Sequence, residues 1–169
     1  KMFAMKKLLI TGFIACAFLT AGAQLKTPAP SPAQTVKQEF GLSNIELSYS
    51  RPAMKGRKIF GDLVPFGAIW RTGANSATTL TFGDDVTING TKVPAGKYGL
   101  LTIPDKKSWT LIISKQTDVT SPTAYKPEMD VVRVTADVAK VKSPAESFTI
   151  QFANVKPTTL DLQIAWDKS

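Results

Sequence analysis

The chain has 169 residues, of which 43% are hydrophobic and 20% are charged, and its formal net charge is +8. It contains no histidine and a single cysteine. Nucleophilic systems of the Ser-His-Asp or Cys-His type are therefore excluded, and so are zinc sites built from His and Cys in the usual way. A length in this range suits one domain with a core of its own. The composition favours a binding or structural protein over a conventional enzyme.

The first 23 residues have the pattern of a secretory signal peptide. Two lysines precede an apolar run over residues 8–20, and the sequence Ala-Gly-Ala at 21–23 matches the small-x-small pattern that signal peptidase cleaves. The run is shorter than the roughly 20 apolar residues that a permanent membrane helix needs. We expect cleavage after Ala23, export to the periplasm or cell exterior, and no permanent membrane span afterwards. A retained membrane anchor is the alternative.

Cys16 lies within this apolar run. Its lipidation is a further alternative, but Phe13 stands where a lipobox prefers a Leu-like residue, and apolar residues continue beyond Cys16. Cleavage after Ala23 would remove three lysines and no acid, so the formal charge would fall from +8 to +5. The remaining lysines are scattered, which predicts a solvated surface, and export argues against a nucleic acid partner.

The rest of the chain predicts a short spacer followed by one β domain. Residues 24–34 are rich in Pro, Ala and small polar residues, which is typical of an extended spacer. From residue 35 to residue 169 the sequence alternates between short strand patterns and turns. Ile45, Leu47 and Tyr49 alternate with polar residues, so they are expected on one face of a strand.

The clearest local signal is Asn89-Gly90, because a type I′ hairpin turn needs positive φ at both central residues. No window of the mature chain has a convincing helical period. Eight or nine short strands predict an all-β fold, either a sandwich or a barrel, and ample inward-facing apolar residues favour an antiparallel, jelly-roll-like β-sandwich. Besides the strand that contains Ile45, Leu47 and Tyr49, strand patterns lie at residues 78–82, 86–88, 91–93, 98–103, 109–114, 131–138, 148–155 and 159–166.

Residues 51–75 break the strand pattern. The segment holds three of the four arginines of the chain, several glycines and prolines, and one tryptophan. A long irregular connection inside a compact domain is commonly functional or disordered, and the aromatic content argues against disorder. This segment is therefore the first place to look for a site.

The same segment carries a family resemblance. Its motif R-P-x-x-K-G-R-x-I-F-G-x-L-V-P-F-G-x-x-W-R-T-G-A-N resembles the signature of domain-of-unknown-function family 2911. The motif V-x-A-G-x-Y-x-L at residues 93–100, together with Trp109, is similar to the hairpin of that family. The resemblance implies a secreted or envelope-associated protein of the kind typical of Bacteroidetes-type bacteria, and it implies no activity. Members often carry an acid after the Asn of the motif, where this chain has Ser76.

The side chains of the segment suggest a ligand site. Arg51, Arg57 and Arg71 offer planar donor forks for a carboxylate, phosphate or sulfate. Trp70 could stack on a sugar ring, and Asn75 could both donate and accept hydrogen bonds. We therefore predict an anion- or carbohydrate-binding site formed by these five residues.

Three other interpretations remain open. In a purely structural one, the arginines bond nearby carbonyls or pair with Asp62, and the aromatic residues hold the segment against the sandwich. A carboxylate-dependent glycan hydrolase would need two carboxyl groups roughly 5–9 Å apart, whereas the adjacent acids Asp84 and Asp85 point to opposite faces. A protein-interaction domain could use the edge strands of the sheets. No calcium motif is present, and we expect no catalytic residue, metal or cofactor.

Overall fold

The computed structural model describes residues 27–139 and 141–169. The predicted signal peptide, Cys16 and the first residues of the predicted spacer lie outside these ranges. Within them, the regular elements are ten β-strands and two short 3-10 helices. No helix in the described ranges is long and apolar enough to cross a membrane.

The ten strands follow one another along the chain and are joined mostly by short turns. The count exceeds the predicted eight or nine, and the predicted all-β class is confirmed. The strands are β1 (Ala33–Phe40), β2 (Ser43–Ser50), β3 (Thr79–Phe82), β4 (Val86–Ile88), β5 (Thr91–Val93), β6 (Gly96–Ile103), β7 (Ser108–Ser114), β8 (Asp130–Asp137), β9 (Ala145–Ala153) and β10 (Asp161–Asp167), and the 3-10 helices are Pro122–Ala124 and Pro127–Met129.

The architecture is an antiparallel β-sandwich, as predicted. Six strands form the main sheet in the order β1-β2-β3-β6-β7-β8, with β1 and β8 at its edges. The hairpin of β9 and β10 packs on this sheet as the second layer, and β4 and β5 form a separate small hairpin. The main sheet does not close on itself, so the fold is not a barrel.

The alternating residues of β2 supply one wall of the core. Ile45, Leu47 and Tyr49 are all buried, which confirms that they share a face. The second layer contributes Phe148 and Ile150, which are also buried. The Tyr49 hydroxyl donates to the Ile150 carbonyl at 3.1 Å and accepts from the Ile150 amide at 3.0 Å, so it ties the two layers together. Burial of each large apolar side chain of this kind contributes about 1.5–3 kcal/mol.

The β4–β5 hairpin has the predicted turn. Asn89 and Gly90 have φ angles of 45° and 85°, the positive values that a type I′ turn requires. Val86 pairs with Val93 at the open end of the hairpin, and Val93 is fully buried. The hairpin is therefore anchored to the sandwich by its own apolar residues.

A second, smaller apolar cluster lies on the other face of the main sheet. Leu101 of β6 and Ile112 of β7 are buried there beneath Val119, which belongs to the connection between β7 and β8. Ile69 and Tyr125 pack against them. Residues 115–129 therefore cover part of the outer face of the sheet.

The irregular segment that follows β2 joins the two layers. Ala53 forms an isolated bridge with Ser147 of β9, and Trp70 forms one with Thr102 of β6. Strand β3 spans only four residues, so it pairs with the first half of β6. Trp70 takes the place beside the second half, where its amide donates to the Thr102 carbonyl at 2.8 Å. The segment thus completes the sheet without forming a strand.

Candidate functional site

Arg51 is used to connect the two layers of the sandwich. Its Nε donates to the carbonyl of Phe148 at 3.1 Å, and one terminal nitrogen donates to Thr149 Oγ1 at 2.9 Å. Both acceptors belong to β9, and the contacts are partly buried. This guanidinium is thus engaged by the fold.

Arg57 folds back on its own segment. Its Nε donates to the Met54 carbonyl at 2.9 Å, and a terminal nitrogen donates to the Ala53 carbonyl at 2.6 Å. The residue is exposed, so these bonds compete with water and contribute little to stability. Asp62 does not pair with it, since Arg133 and Asp130 form the one ion pair within the described residues.

Arg71 differs from the other two arginines. One terminal nitrogen donates to the Thr120 carbonyl at 2.6 Å, across to the connection between β7 and β8. Its Nε is buried and has no hydrogen-bond partner among the described residues. A buried N–H group without an acceptor costs about 1–3 kcal/mol, and a charged group costs more. The surrounding protein encloses this donor.

Trp70 lies within a cluster of aromatic side chains. Its ring stacks on Trp166 with centroids 5.9 Å apart and contacts Phe148 edge to face at 5.0 Å. Phe60 lies 6.4 Å away and links the ring to Trp109. The indole nitrogen donates to the Gly73 carbonyl at 3.1 Å. Much of this ring is committed to packing, and the residue as a whole is half-buried.

Three buried threonine hydroxyls hold the end of the segment. Thr72 Oγ1 donates to Thr102 Oγ1 at 3.1 Å, and Thr78 Oγ1 donates to the Thr72 carbonyl at 2.7 Å. Thr72 has a φ of 56°, which is rare for a β-branched residue and indicates backbone strain held by these contacts. The local backbone on which Arg71 sits is therefore fixed by the surrounding structure.

Asn75 bonds the residues before β1. It also has a φ of 56°, a conformation that Asn tolerates better than most residues, and its Nδ2 donates to the Ser31 carbonyl at 3.0 Å. The side chain therefore ties the segment to the residues before β1.

Three of the five predicted residues border one cavity of about 350 Å³. Arg57, Trp70 and Arg71 contribute to its lining, whereas Arg51 and Asn75 do not. The other walls come from four places in the chain: the start of the described residues, the irregular segment itself, the β7–β8 connection, and β10. These walls include Ser31, Pro52, Leu63, Val64, Pro65, Ile69, Thr120, Ser121, Pro122 and Trp166.

The cavity is electrostatically positive. It is bordered by two arginines, and none of the described residues that line it is an Asp or a Glu. No pair of carboxylates lines this cavity among the described residues. Across the described ranges, no group of three His, Cys, Asp or Glu side chains is arranged to hold a metal ion.

One wall of the cavity belongs to the β7–β8 connection, which is held to β8 by polar side-chain contacts. Tyr125 donates to Asp130 Oδ2 at 2.6 Å, and Arg133 donates to the same oxygen at 2.8 Å and to the Tyr125 hydroxyl. Partial burial and the bond to Asp130 raise the pKa of Tyr125 to about 12. The bond to Asp130 also raises the pKa of Arg133. The phenol is thus held neutral, as a hydrogen-bond donor.

Several residues around the cavity have no sequence signal that marks them as site residues. Thr120 lies 49 positions after Arg71, and Trp166 lies in the last strand. In the sequence, the residues between the strand patterns at 109–114 and 131–138 indicate a long connection, and nothing there indicates that it borders a cavity. Long-range contacts of this kind follow from the packing of the two layers.

The family model described as "Protein of unknown function (DUF2911)" matches residues 31–169. No curated protein and no solved structure matches the chain. The match begins just before β1 and extends through β10, so it covers the whole sandwich. The chain accordingly belongs to the DUF2911 family.

Proposed function

We propose that this chain is an exported, non-catalytic binding module of the cell envelope, and that its ligand is an anionic saccharide held in the cavity beside Arg71. The observation that carries the proposal is a cavity of about 350 Å³ that is bordered by Arg57 and Arg71 and has no Asp or Glu among its described lining residues. An anionic group in this cavity would lie next to both arginines.

The charge of the cavity favours an anion. Arg57 and Arg71 both border it, and no acid among the described lining residues neutralises them. A carboxylate that bonds a guanidinium makes a charge-assisted hydrogen bond, which is roughly twice as strong as a neutral one. Partial enclosure weakens the screening by solvent, so the attraction exceeds that of a surface pair.

The uncharged part of the lining suits a sugar. Trp70, Pro52 and Ile69 contribute apolar lining, and Ser31 and Ser121 belong to the same lining. A volume of this size lies at the lower end of the range for small-molecule sites. A single uronic acid unit combines the required features, since it has one carboxylate, several hydroxyls and an apolar ring face.

The test is a titration with galacturonate at low ionic strength, monitored by tryptophan fluorescence and by calorimetry. Trp70 and Trp166 both line the cavity, so occupancy should change the emission. We expect Arg71→Gln to weaken binding at least tenfold. Lys58→Gln is the matched control, because it removes one positive charge from an exposed position of the same segment outside the cavity.

Two results would refute the binding proposal. One is the absence of any response to galacturonate and to a longer acidic oligosaccharide at millimolar concentration. The other is equal affinity in the Arg71→Gln and Lys58→Gln variants. Thermal unfolding of each variant should be measured in parallel, so that lost binding is separated from lost folding.

Export is supported by the signal-peptide pattern of residues 1–23. Expression of the full chain in a Gram-negative host, followed by cell fractionation and N-terminal sequencing, tests it. We expect an envelope or periplasmic product that begins at Gln24. A product that keeps residues 1–23 in the cytoplasm would contradict the proposal.

A further inference from the structure

Strand β8 leaves one edge of the main sheet open. Among the described residues it pairs with β7 on one side and with no strand on the other. The Val138 amide donates to the Lys107 carbonyl at 2.9 Å in the register of these two strands, and this bond fixes the alternation of the backbone. The even-numbered residues therefore direct their N–H and C=O groups to β7, whereas Arg133, Thr135 and Asp137 direct theirs to the open edge.

The open edge carries few of the features that keep sheet edges apart. Residues 130–138 contain no proline and no lysine and are rich in β-branched residues. The opposite edge strand, β1, differs in both respects that matter for pairing. It carries the exposed Lys37, and the N–H of Gly41 at its end already donates to the Pro157 carbonyl at 2.9 Å. Strand β8 is therefore the edge better suited to accept another strand.

The charges on the outer face of β8 are complementary to those of a second copy in one register. Arg133, Thr135 and Asp137 alternate on this face and are all exposed. When two copies of β8 pair antiparallel about a two-fold axis at Thr135, each Arg133 lies opposite Asp137 of the other copy. An axis at Arg133 or at Asp137 would instead place like charges opposite each other. The charge pattern thus selects the register that is centred on Thr135.

Both charged side chains have capacity left for this contact. Asp137 forms no ion pair within the described residues, where Arg133 and Asp130 form the one pair. Arg133 uses Nε and Nη2 to bond Asp130 and Tyr125, and its Nη1 has no partner in the same part of the chain. Its side chain is 45% exposed. The guanidinium is therefore held in place by its own chain while one terminal nitrogen faces outwards to a second carboxylate.

The inner face of β8 is apolar and becomes more exposed along the strand. Val134 is half-buried and Ala136 is exposed, and Val141, in the connection that follows β8, is 39% exposed. In the register centred on Thr135, Val134 lies opposite Ala136 of the other copy. Pairing would therefore remove apolar surface from water on this face while the ion pairs form on the other face.

We propose that the chain forms a two-fold symmetric dimer in which β8 pairs antiparallel with β8 of a second copy, centred on Thr135. The two main sheets then continue into each other, and the outward backbone groups of Arg133, Thr135 and Asp137 gain partners in both copies. A second copy fits better than an unrelated strand, because a two-fold interface requires a surface that is complementary to itself. The dimer does not depend on the anionic ligand proposed above.

The experiment is sedimentation velocity of the purified protein over a range of concentrations, at low and at high salt. We expect a reversible change from the mass of one chain to twice that mass. Asp137→Arg should weaken dimerisation at least about tenfold, because two pairs of like charges would face each other. Asp84→Arg is the matched control, since it makes the same change of charge at an exposed aspartate outside β8.

Charge exchange tests the register. Arg133→Asp should also weaken dimerisation, and an equimolar mixture of the Arg133→Asp and Asp137→Arg variants should recover the dimer. In that mixture every arginine again faces an aspartate across the axis. A role of Arg133 that is confined to its own chain, through Asp130, would not be rescued by mixing. Failure of the mixture to dimerise would therefore overturn the proposal.

A backbone change tests which edge is used. Thr135→Pro removes an outward N–H group at the axis and should abolish the dimer. Thr35→Pro is the matched control on β1, where the bond from the Arg51 amide to the Pro32 carbonyl places the N–H of Thr35 at the free edge. Unfolding curves of both proline variants establish that each is folded.

Amide hydrogen exchange adds a readout for single residues. Exchange at Arg133, Thr135 and Asp137 should slow as the protein concentration rises, because their N–H groups gain acceptors only in the dimer. Three results would overturn the proposal: a monomer at every concentration, equal dimerisation of the Asp137→Arg and Asp84→Arg variants, and a dimer that Thr35→Pro abolishes while Thr135→Pro does not.

Discussion

Two irregular connections, residues 51–78 and residues 115–129, border the same cavity but are held in place by different forces. The first is fixed by aromatic packing around Trp70 and by buried threonine hydroxyls. The second has one fully buried apolar residue, Val119, and is otherwise held by polar contacts near the surface. Irregular backbone is thus compatible with a rigid wall on one side of a cavity and a more adaptable wall on the other.

The two connections also contribute different groups to the cavity. The first provides Arg71 in a fixed position, because its neighbours Trp70 and Thr72 are immobilised. The second provides Thr120, whose carbonyl holds one nitrogen of that arginine. Local opening costs little where few apolar contacts are broken. Hydrogen exchange should therefore be faster in residues 115–129 than in residues 51–78.

The largest expected effect comes from Trp70→Ala. Loss of this ring would leave a void among Trp166, Phe148 and Phe60, and substitutions of this kind cost about 3–5 kcal/mol. Urea unfolding monitored by circular dichroism measures the change. Phe66→Ala is the control, since Phe66 is a partly exposed aromatic residue of the same segment. Equal effects of the two variants would show that the aromatic cluster does not fix the first wall.

A smaller effect is expected from Thr72→Val. The change keeps the shape of the side chain but leaves the fully buried hydroxyl of Thr102 without its partner, which costs about 1–3 kcal/mol. Thr120→Val, in the exposed part of the second wall, should change the free energy of unfolding by less than about 0.5 kcal/mol. Chemical denaturation of both variants measures the difference, and a larger loss for Thr120→Val would reverse our comparison of the two walls.

Tyr125→Phe should affect the second wall alone. It removes the bond to Asp130, at a cost of about 1 kcal/mol for a contact near the surface. Hydrogen exchange should accelerate in residues 115–129 and stay unchanged in residues 51–78. Acceleration spread over both connections would mean that they open together.

The hydrogen bond between Tyr125 and Asp130 also predicts that the stability of the protein depends on pH. The folded-state pKa of Tyr125 is raised from 10.0 to about 12, so its contribution to stability is fully present below pH 10 and is lost as the pH rises from 10 towards 12. Absorbance at 295 nm follows the ionisation of tyrosine. The wild-type protein should lose stability across this interval more steeply than the Tyr125→Phe variant, and parallel curves would contradict the assignment.

The smallest effect is expected from Arg57→Gln. Both hydrogen bonds of Arg57 are exposed and end on carbonyls of its own segment, so the free energy of unfolding should change by less than about 0.5 kcal/mol. Arg51→Gln breaks partly buried bonds to the second layer and should cost about 1 kcal/mol. Thermal unfolding of the two variants compares them, and the opposite ranking would mean that Arg51 does not link the layers.

Much of the fold could be predicted because its signals are local. The turn at Asn89-Gly90 follows from the φ angles that two adjacent residues tolerate, and the alternation around Leu47 follows from the two-residue period of a strand. The order of strands in the sheets could not be obtained this way, since pairing joins residues far apart in sequence. The place of Trp70 beside β6 is a clear case, because no strand pattern surrounds it.

The candidate site could be predicted only as a segment. The concentration of arginine in residues 51–75 was visible, but the sequence could not separate Arg51, which links the layers, from Arg71, which retains a free buried donor. That difference depends on which carbonyls lie within hydrogen-bond distance. The second wall of the cavity depends on the packing of distant elements in the same way.

The sequence by itself determined the all-β class, the hairpin turns, the inward face of β2 and the irregular character of residues 51–75. Each of these follows from the conformational preferences or spacing of neighbouring residues. Tertiary structure alone decided which arginine keeps a buried donor without a partner, and that the three tryptophans meet in one cluster. These features arise because two layers of a sandwich bring together residues that are up to about a hundred positions apart.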